Sequence, residues 1–406
     1  MLTGMISSVS GIVNTSGTNL SIGDSSLSSA DGGEGYNIVL GEEAMTNVNN
    51  DDADHNIAIG YQALEGGTST GENNIAIGQA SMDHGSNAAD NVISIGKQAC
   101  RGAMTSGADG TVAIGLGALN ALTSGAGNIG IGYQTLLENV SGNNNIAIGY
   151  GAMDDTADLA NNDNIAIGIN ALGGTWVSGA SIRNIAIGSN SMLGAMNGAS
   201  GNTCVGRASG TAIISGDDNV CIGRDAGELI TTGNQNTAIG AGTDCAVGVH
   251  NQIAIGYGVV TNADSQVRIG NASHYLTYDA SSGGAVSITS DKRVKKDIQD
   301  SLLGLNFINL LRPVTYVHKN SYDYPECFKI PKDGERPEEP TKIQDGLIAQ
   351  EVKEVMDNLN INFSGWDEDP DTRQSLQYSM FIVPLIKAVQ ELSQQIEELK
   401  TKTGEA

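Results

Sequence analysis

Asn145-Ile146-Ala147-Ile148-Gly149 and, one interval later, Asn164-Ile165-Ala166-Ile167-Gly168 state the unit from which most of this chain is built. The same five residues stand at Asn56–Gly60, Asn74–Gly78 and Asn184–Gly188, and looser copies end at Gly23, Gly41, Gly96, Gly115, Gly132, Gly206, Gly223, Gly240, Gly256 and Gly270. Fifteen copies between Gly23 and Gly270 leave 14 intervals that average 17.6 residues. A period so short and so persistent predicts a solenoid, in which each coil packs only on its neighbours.

The slots of the unit carry the physics. A β-branched residue immediately before the glycine and another two places earlier fall on one face of a short strand. The residue between them is small, as at Ala76, Ser94, Ala113, Gly130, Cys204 and Cys221. That face must be crowded too, because water would tolerate larger polar groups there. The pattern predicts a thin interior of Ile, Val and Ala, and rungs occupied on both faces that pack against neighbouring chains. Glycine then supplies positive φ or a close approach of two backbones. The asparagine four residues before it can stack its amide on the next copy. At about 4.8 Å per rung, fifteen rungs make a rod roughly 70 Å long.

Composition divides the chain at Ser290. Of 54 glycines, 49 precede it, while all 7 prolines and 15 of 21 Lys and Arg residues follow it. The predicted divisions are a short N-terminal segment (1–18), the repeat array (19–270), a connector (271–289) and a C-terminal module (290–406). The net charge is −25, which argues against a nucleic-acid partner. Glycine abounds without a Gly-X-Y triplet, which excludes collagen. The N-terminal residues show neither a cationic start nor a long apolar run, so no secretion signal or membrane insertion is expected. The five cysteines have no CxxC spacing, and His55, His84, His250 and His274 share no ligand spacing. No metal and no cofactor is therefore expected.

Residues outside the repeat phase form segments rich in Gly, Ser, Asn and Asp, such as Glu65–Glu72, Asp83–Asp90 and Asp154–Asp163, which by the repeat geometry should emerge along one edge. In such a segment Trp176 is a candidate binding residue that could stack on a sugar ring; the alternative is that it covers an edge of the roll. Asp154 and Asp155 could serve as a glycosidase pair, against the plainer reading of a solvated surface. Cys204 and Cys221 share the small slot in adjacent rungs, as small buried thiols or a disulfide. Beyond Ser290 the pattern predicts a short strand at 313–318, an acidic proline-rich loop at 322–344 and a helix at 348–359. A long helix from about 379 to 402 would carry an a/d seam of Ile382, Leu385, Val389, Leu392, Ile396 and Leu399.

The repeat resembles the head of the YadA-type trimeric autotransporter adhesins, whose units carry Asn-x-x-Ala-Ile-Gly-x-x-Ala. Ala63, Ala99, Ala118, Ala152 and Ala171 match its last alanine. The resemblance implies a mainly β fold, a left-handed parallel β-roll in a homotrimer. The C-terminal module is similar to the intramolecular chaperone and self-cleaving domain of endosialidase-type phage tailspikes. The matching residues are Ser290-Asp291-x-Arg293-x-Lys295-x-x-Ile298, Leu311-Arg312-Pro313-Val314-Thr315-Tyr316, Gly346-Leu347-Ile348-Ala349-Gln350-Glu351-Val352 and Tyr378…Pro384-Leu385-Ile386-x-Ala388. The upstream Val267-Arg268-Ile269-Gly270-Asn271 is similar to the lead-in of such fibres.

That resemblance implies a small α/β chaperone domain with a coiled-coil-like end, which helps the rod fold and then releases itself by cleavage between Thr289 and Ser290. Ser290 would be the nucleophile and Lys295 the base. A lysine at its ordinary pKa is charged, so burial in an assembled trimer or the nearby Lys292, Arg293 and Lys296 must lower it. Read without the resemblance, the same residues make a basic surface turn. The whole suggests a virion tail fibre or spike that meets other tail components and a host cell-surface glycan or protein receptor. A bacterial trimeric adhesin and a polysaccharide depolymerase are the alternatives.

Overall fold

The computed structural model describes residues 13–14, 18–28, 35–46, 53–66, 70–84, 87–156, 159–279, 286–288, 292–325, 336–369 and 372–404. The chain divides into two compact units, Met1–Thr289 and Ser290–Ala406.

In the first unit every copy of the repeat places one short strand in a parallel ladder that runs from Leu20–Ile22 to Gln266–Asn271. Pairing is residue on residue: Ile146, Ala147 and Ile148 lie beside Ile165, Ala166 and Ile167, which lie beside Ile185, Ala186 and Ile187. A shift by one residue would exchange the two faces, and only one slot is narrow enough to demand alanine. That slot is the interior. Ala147, Ala166 and Ala186 are fully buried, while Ile148, Ile167 and Ile187 are 36–37% exposed on the opposite face. The expected interior of Ile, Val and Ala is thus corrected: the strand isoleucines of these rungs face outward, and the core is closed from within by residues elsewhere in the coil. Ala118, Ala152 and Ala171, three places after the glycine, and Leu119, Met153 and Leu172, four places after it, are all fully buried.

The backbone geometry explains why the glycine recurs. Gly168 has φ +137°, and a Cβ there would stand 2.6 Å from the carbonyl oxygen of Gly188 in the next coil. Three further positions of this coil enter the left-handed region without glycine, Asp163, Asn170 and Leu172 at φ +59°, +50° and +52°. Left-handed residues cost about 1–2 kcal/mol each. Burying a leucine side chain returns a comparable amount, so the turn at Leu172 is tolerated because its side chain fills the core.

Two side-chain ladders hold the coils together. In the inner one, Asn164 donates its backbone N–H to Asn145 Oδ1 (3.1 Å), Asn184 donates to Asn164 Oδ1 (3.0 Å), and Asn202 to Asn184 Oδ1 (3.1 Å). Each amide nitrogen also donates onward, as Asn164 Nδ2 does to Ser181 O at 2.9 Å. The column has no amide at Val92 and Thr111 and resumes at Asn128. A second column, two residues earlier, runs with opposite polarity: Asn143 N–H donates to Asn162 Oδ1 (2.7 Å), Asp217 to Asn234 Oδ1 (2.8 Å), Asn234 to His250 Nδ1 (3.0 Å) and His250 to Asp264 Oδ1 (2.7 Å).

Residues 67–69, 85–86 and 157–158 of the expected loops lie outside the described residues, but where such segments are described they are coil in their own right. Val177 N–H donates to Met196 O at 2.9 Å, Asn197 to Ile214 O at 2.7 Å and Ile214 to Thr231 O at 2.9 Å. Their inward residues, Met104, Leu122, Trp176, Met196, Ile213 and Ile230, complete the core. Cys204 and Cys221 lie in register as buried free thiols. The segment expected as a connector, 271–289, carries strands of its own: Tyr275–Asp279 pairs antiparallel with the last ladder strand, and Val286–Ile288 pairs antiparallel with Tyr275–Asp279.

The second unit is built around helices α1 (Leu305–Leu310), α2 (Ala349–Leu359) and α3 (Ile382–Thr403). Val314–Tyr316 pairs with Gln344–Gly346, and Trp366–Glu368 with Gln374–Leu376. Phe307, Val352, Met356, Phe363 and Phe381 form its core. The Phe363 and Phe381 rings meet edge to face at 4.6 Å, and Phe307 lies 5.3 Å from Phe363.

Candidate functional site

The segment proposed to carry covalent chemistry opens the second unit. Lys292–Val294 forms a single tight turn, closed by the Lys295 N–H donating to Lys292 O at 3.2 Å. Lys292, Arg293, Lys295 and Lys296 are all exposed, so four cations share one short stretch of surface. Thr289 and Ser290 lie outside the described residues, so of the expected nucleophile and base only Lys295 is placed.

Behind this arm, the family-like residues form latches. Arg312 grips Glu351 through two hydrogen bonds, Nε to Oε2 at 3.0 Å and a second from Nη2 to Oε1. The guanidinium holds the Glu351 carboxyl below the usual carboxylate range, and the carboxylate raises Arg312 in turn. Both groups are solvent-exposed, so the pair orients the start of α2 more than it stabilises the unit. The Tyr378 hydroxyl accepts the Leu347 N–H at 2.9 Å, and a Cβ at Gly346 would stand 2.5 Å from that hydroxyl. Glu391 of α3 accepts the Leu305 N–H at 2.7 Å and so caps α1, whose Gly304 leaves room for nothing but a hydrogen beside the carboxylate. The terminal helix is therefore tied to the module at Glu391, and the turn that precedes it, Tyr378–Phe381, at Tyr378. Sequence reading did not single out Glu391; its position one residue before the seam leucine Leu392 makes it look like any solvated helix charge.

A cleft beside these latches is lined by Tyr316, His318, Ile348, Gln350, Gln374 and Tyr378, among others. α3 buries only Pro384 and Ala388 against its own module. Its seam residues Ile382, Leu385, Val389, Leu392, Ile396 and Leu399 are 44–61% exposed, an apolar stripe about 26 Å long at 1.5 Å per residue.

The rod carries the remaining candidates. Trp176 is 1% exposed, with Nε1 donating to Leu172 O at 3.3 Å, so no sugar can stack on it and the binding role is corrected to a core role. Burial pushes the Asp154 carboxyl up. Glu138 is raised by burial and then by Asp155, which accepts the Thr175 hydroxyl at 2.5 Å. These carboxylates sit within stacked coils. Among the described residues no group of three or more His, Cys, Asp or Glu could hold a metal ion, and no helix is long and apolar enough to cross a membrane.

Residues 290–361 match the family described as chaperone of endosialidase, and the match begins at the first residue of the second unit. No curated protein and no solved structure shows significant similarity to the chain.

Proposed function

We propose that this chain is a fibre or spike protein in which three copies of the rod lie side by side, brought together by the C-terminal chaperone and then freed from it. The observation that carries the reading is the position of the family match, starting at residue 290 immediately behind a rod with an uncovered apolar stripe. A parallel ladder is built from contacts between coils, and three such rods must find one register before their stripes are covered. Joining the α3 seams raises the local concentration of the chains and aligns them.

The release step is self-cleavage. Ser290 Oγ attacks the carbonyl carbon of Thr289 while neutral Lys295 accepts the hydroxyl proton. The Thr289–Ser290 amide bond breaks, the Ser290 nitrogen takes the proton, and an ester joins Thr289 to Ser290 Oγ. Water then hydrolyses the ester and separates the two units. Nucleophile and scissile bond share one chain, so a modest catalyst suffices for one turnover. Lys295 is exposed in the single chain. Its activation is therefore assigned to assembly, which desolvates it. Loss of the module makes dissociation of the finished rod hard to reverse. The rod's exterior would then contact a glycan or protein on a host surface, with other virion tail components as neighbours.

Intact-mass measurement tests the reading. The parent should yield a rod ending at Thr289 and a fragment beginning at Ser290, and Ser290→Ala should stay whole. An uncut parent, or a cut at another bond, would overturn it.

A further inference from the structure

The solenoid ends in a way that the repeat does not require. In the last ladder strand, Gln266–Asn271, the narrow inward slot holds Arg268 where the preceding strand holds Ala254. Among the described residues no further parallel strand pairs beyond it. The guanidinium donates to Val260 O and to Asn262 Oδ1 (3.0 Å) and lies 4.7 Å from the centre of the Tyr275 ring. The open end of the core is thus closed by a side chain whose head binds the final turn.

The outer face does the opposite and continues. Antiparallel pairing sets Leu276 opposite Ile269 and Tyr278 opposite Val267, which places them on the face that carries the isoleucine stripe. Ile269, Leu276 and Tyr278 are 46%, 41% and 39% exposed, as much as the isoleucines of the rod. The strands shorten from six residues to five to three, and the last one, Val286–Ile288, stops one residue before Thr289. A shrinking edge resists addition of foreign strands.

We propose that this antiparallel extension is a self-association surface that remains on the rod after release and staples the three copies together at their C-terminal ends. The inference rests on the trimeric reading above. A second copy of this chain is the fitting occupant, because only a partner with the same rung spacing can follow a stripe that continues in register from the coils onto Leu276 and Tyr278. The extension lies on the rod side of Thr289, so separation there removes the chaperone and leaves the apolar contact in place.

The test compares the parent with Leu276→Asp/Tyr278→Asp and the milder Leu276→Ala/Tyr278→Ala, each with and without Ser290→Ala, by native mass spectrometry after dilution. If the parent does not cut itself, a site for a specific protease inserted between Thr289 and Ser290 supplies the cut. Once cut, the variant trimers should dissociate at least about tenfold faster than the parent rod, while the uncut variants remain trimeric through the module. Cut variants as persistent as the parent would overturn the staple. A monomeric uncut parent would overturn the trimeric reading itself, and it shows without any variant at Leu276.

Discussion

Replacing Asn164 with alanine probes the inner ladder at its best-connected rung. Asn164 is fully buried, and its Oδ1 accepts both the backbone N–H (3.0 Å) and the side-chain amide (3.2 Å) of Asn184. Its Nδ2 donates to Asn145 Oδ1 (3.1 Å) and Ser181 O (2.9 Å). Alanine leaves the Asn184 backbone N–H without an acceptor in a sealed site, and a buried orphan of this kind costs about 1–3 kcal/mol. The Ser181 carbonyl loses its donor as well, which brings the expected loss to about 3 kcal/mol. The Asn184 amide keeps its bond to Ala199 O at 2.9 Å, so the loss stays local. Amide hydrogen exchange at Asn184 should accelerate about 100-fold, and the denaturation midpoint should fall. Asp163→Gly is the control: residue 163 is exposed at φ +59°, which glycine adopts freely, so the change should stay within about 0.5 kcal/mol. Exchange at Asn184 within threefold of the parent, roughly 0.6 kcal/mol, would refute the claim that the amide column joins the coils.

Other outcomes follow from the same geometry. Gly168→Ala should prevent a soluble rod, since its Cβ would stand 2.6 Å from Gly188 O, whereas Gly198→Ala meets nothing within 4 Å and should cost only about 1–2 kcal/mol for its left-handed backbone; soluble yield and thermal unfolding separate them. Burial raises Asp244 from 3.8 to about 6. A carboxyl raised on folding favours the protonated native state, so stability should fall by about 3 kcal/mol as pH rises from about 4 to above 6, and Asp244→Asn should flatten that slope in denaturation measured at pH 4.5 and 7.5. His250→Asn should keep near-parental stability, because asparagine fills the equivalent place at Asn143, Asn162 and Asn234, while His250→Ala should lose about 1 kcal/mol in thermal unfolding.

The spacing of Asn-Ile-Ala-Ile-Gly made the parallel ladder and its register legible, because a period-2 strand can satisfy an alanine slot in only one phase. Which face was the interior was not legible. Isoleucine is the larger apolar residue, and only the position of Leu172, Met153 and Trp176 around the coil shows that the alanine slot is the one left narrow. The second ladder had a signal, an Asx residue two places before the strand asparagine at Asn143, Asn162 and Asp217, but its phase is masked by the many other Asx residues. Trp176 misled because the low-complexity sequence around it reads as loop, while backbone bonds such as Val177 to Met196 O turn that sequence into coil. In the second unit, the 348–359 helix and the long terminal helix were readable from periodicity. α1, with six residues, was too short to show any, and the Glu391 cap joins residues 86 apart in sequence. Lys295 was legible as one of four clustered cations, but a nucleophile's geometry is not written in spacing.

The central claim is that the coils become a finished rod only as three aligned copies from which the clamp has departed. Native mass spectrometry of the freshly purified protein tests it directly. The account predicts a particle of three chains each ending at Thr289, with the 290–406 fragment separate. A single uncut chain of 406 residues would contradict it.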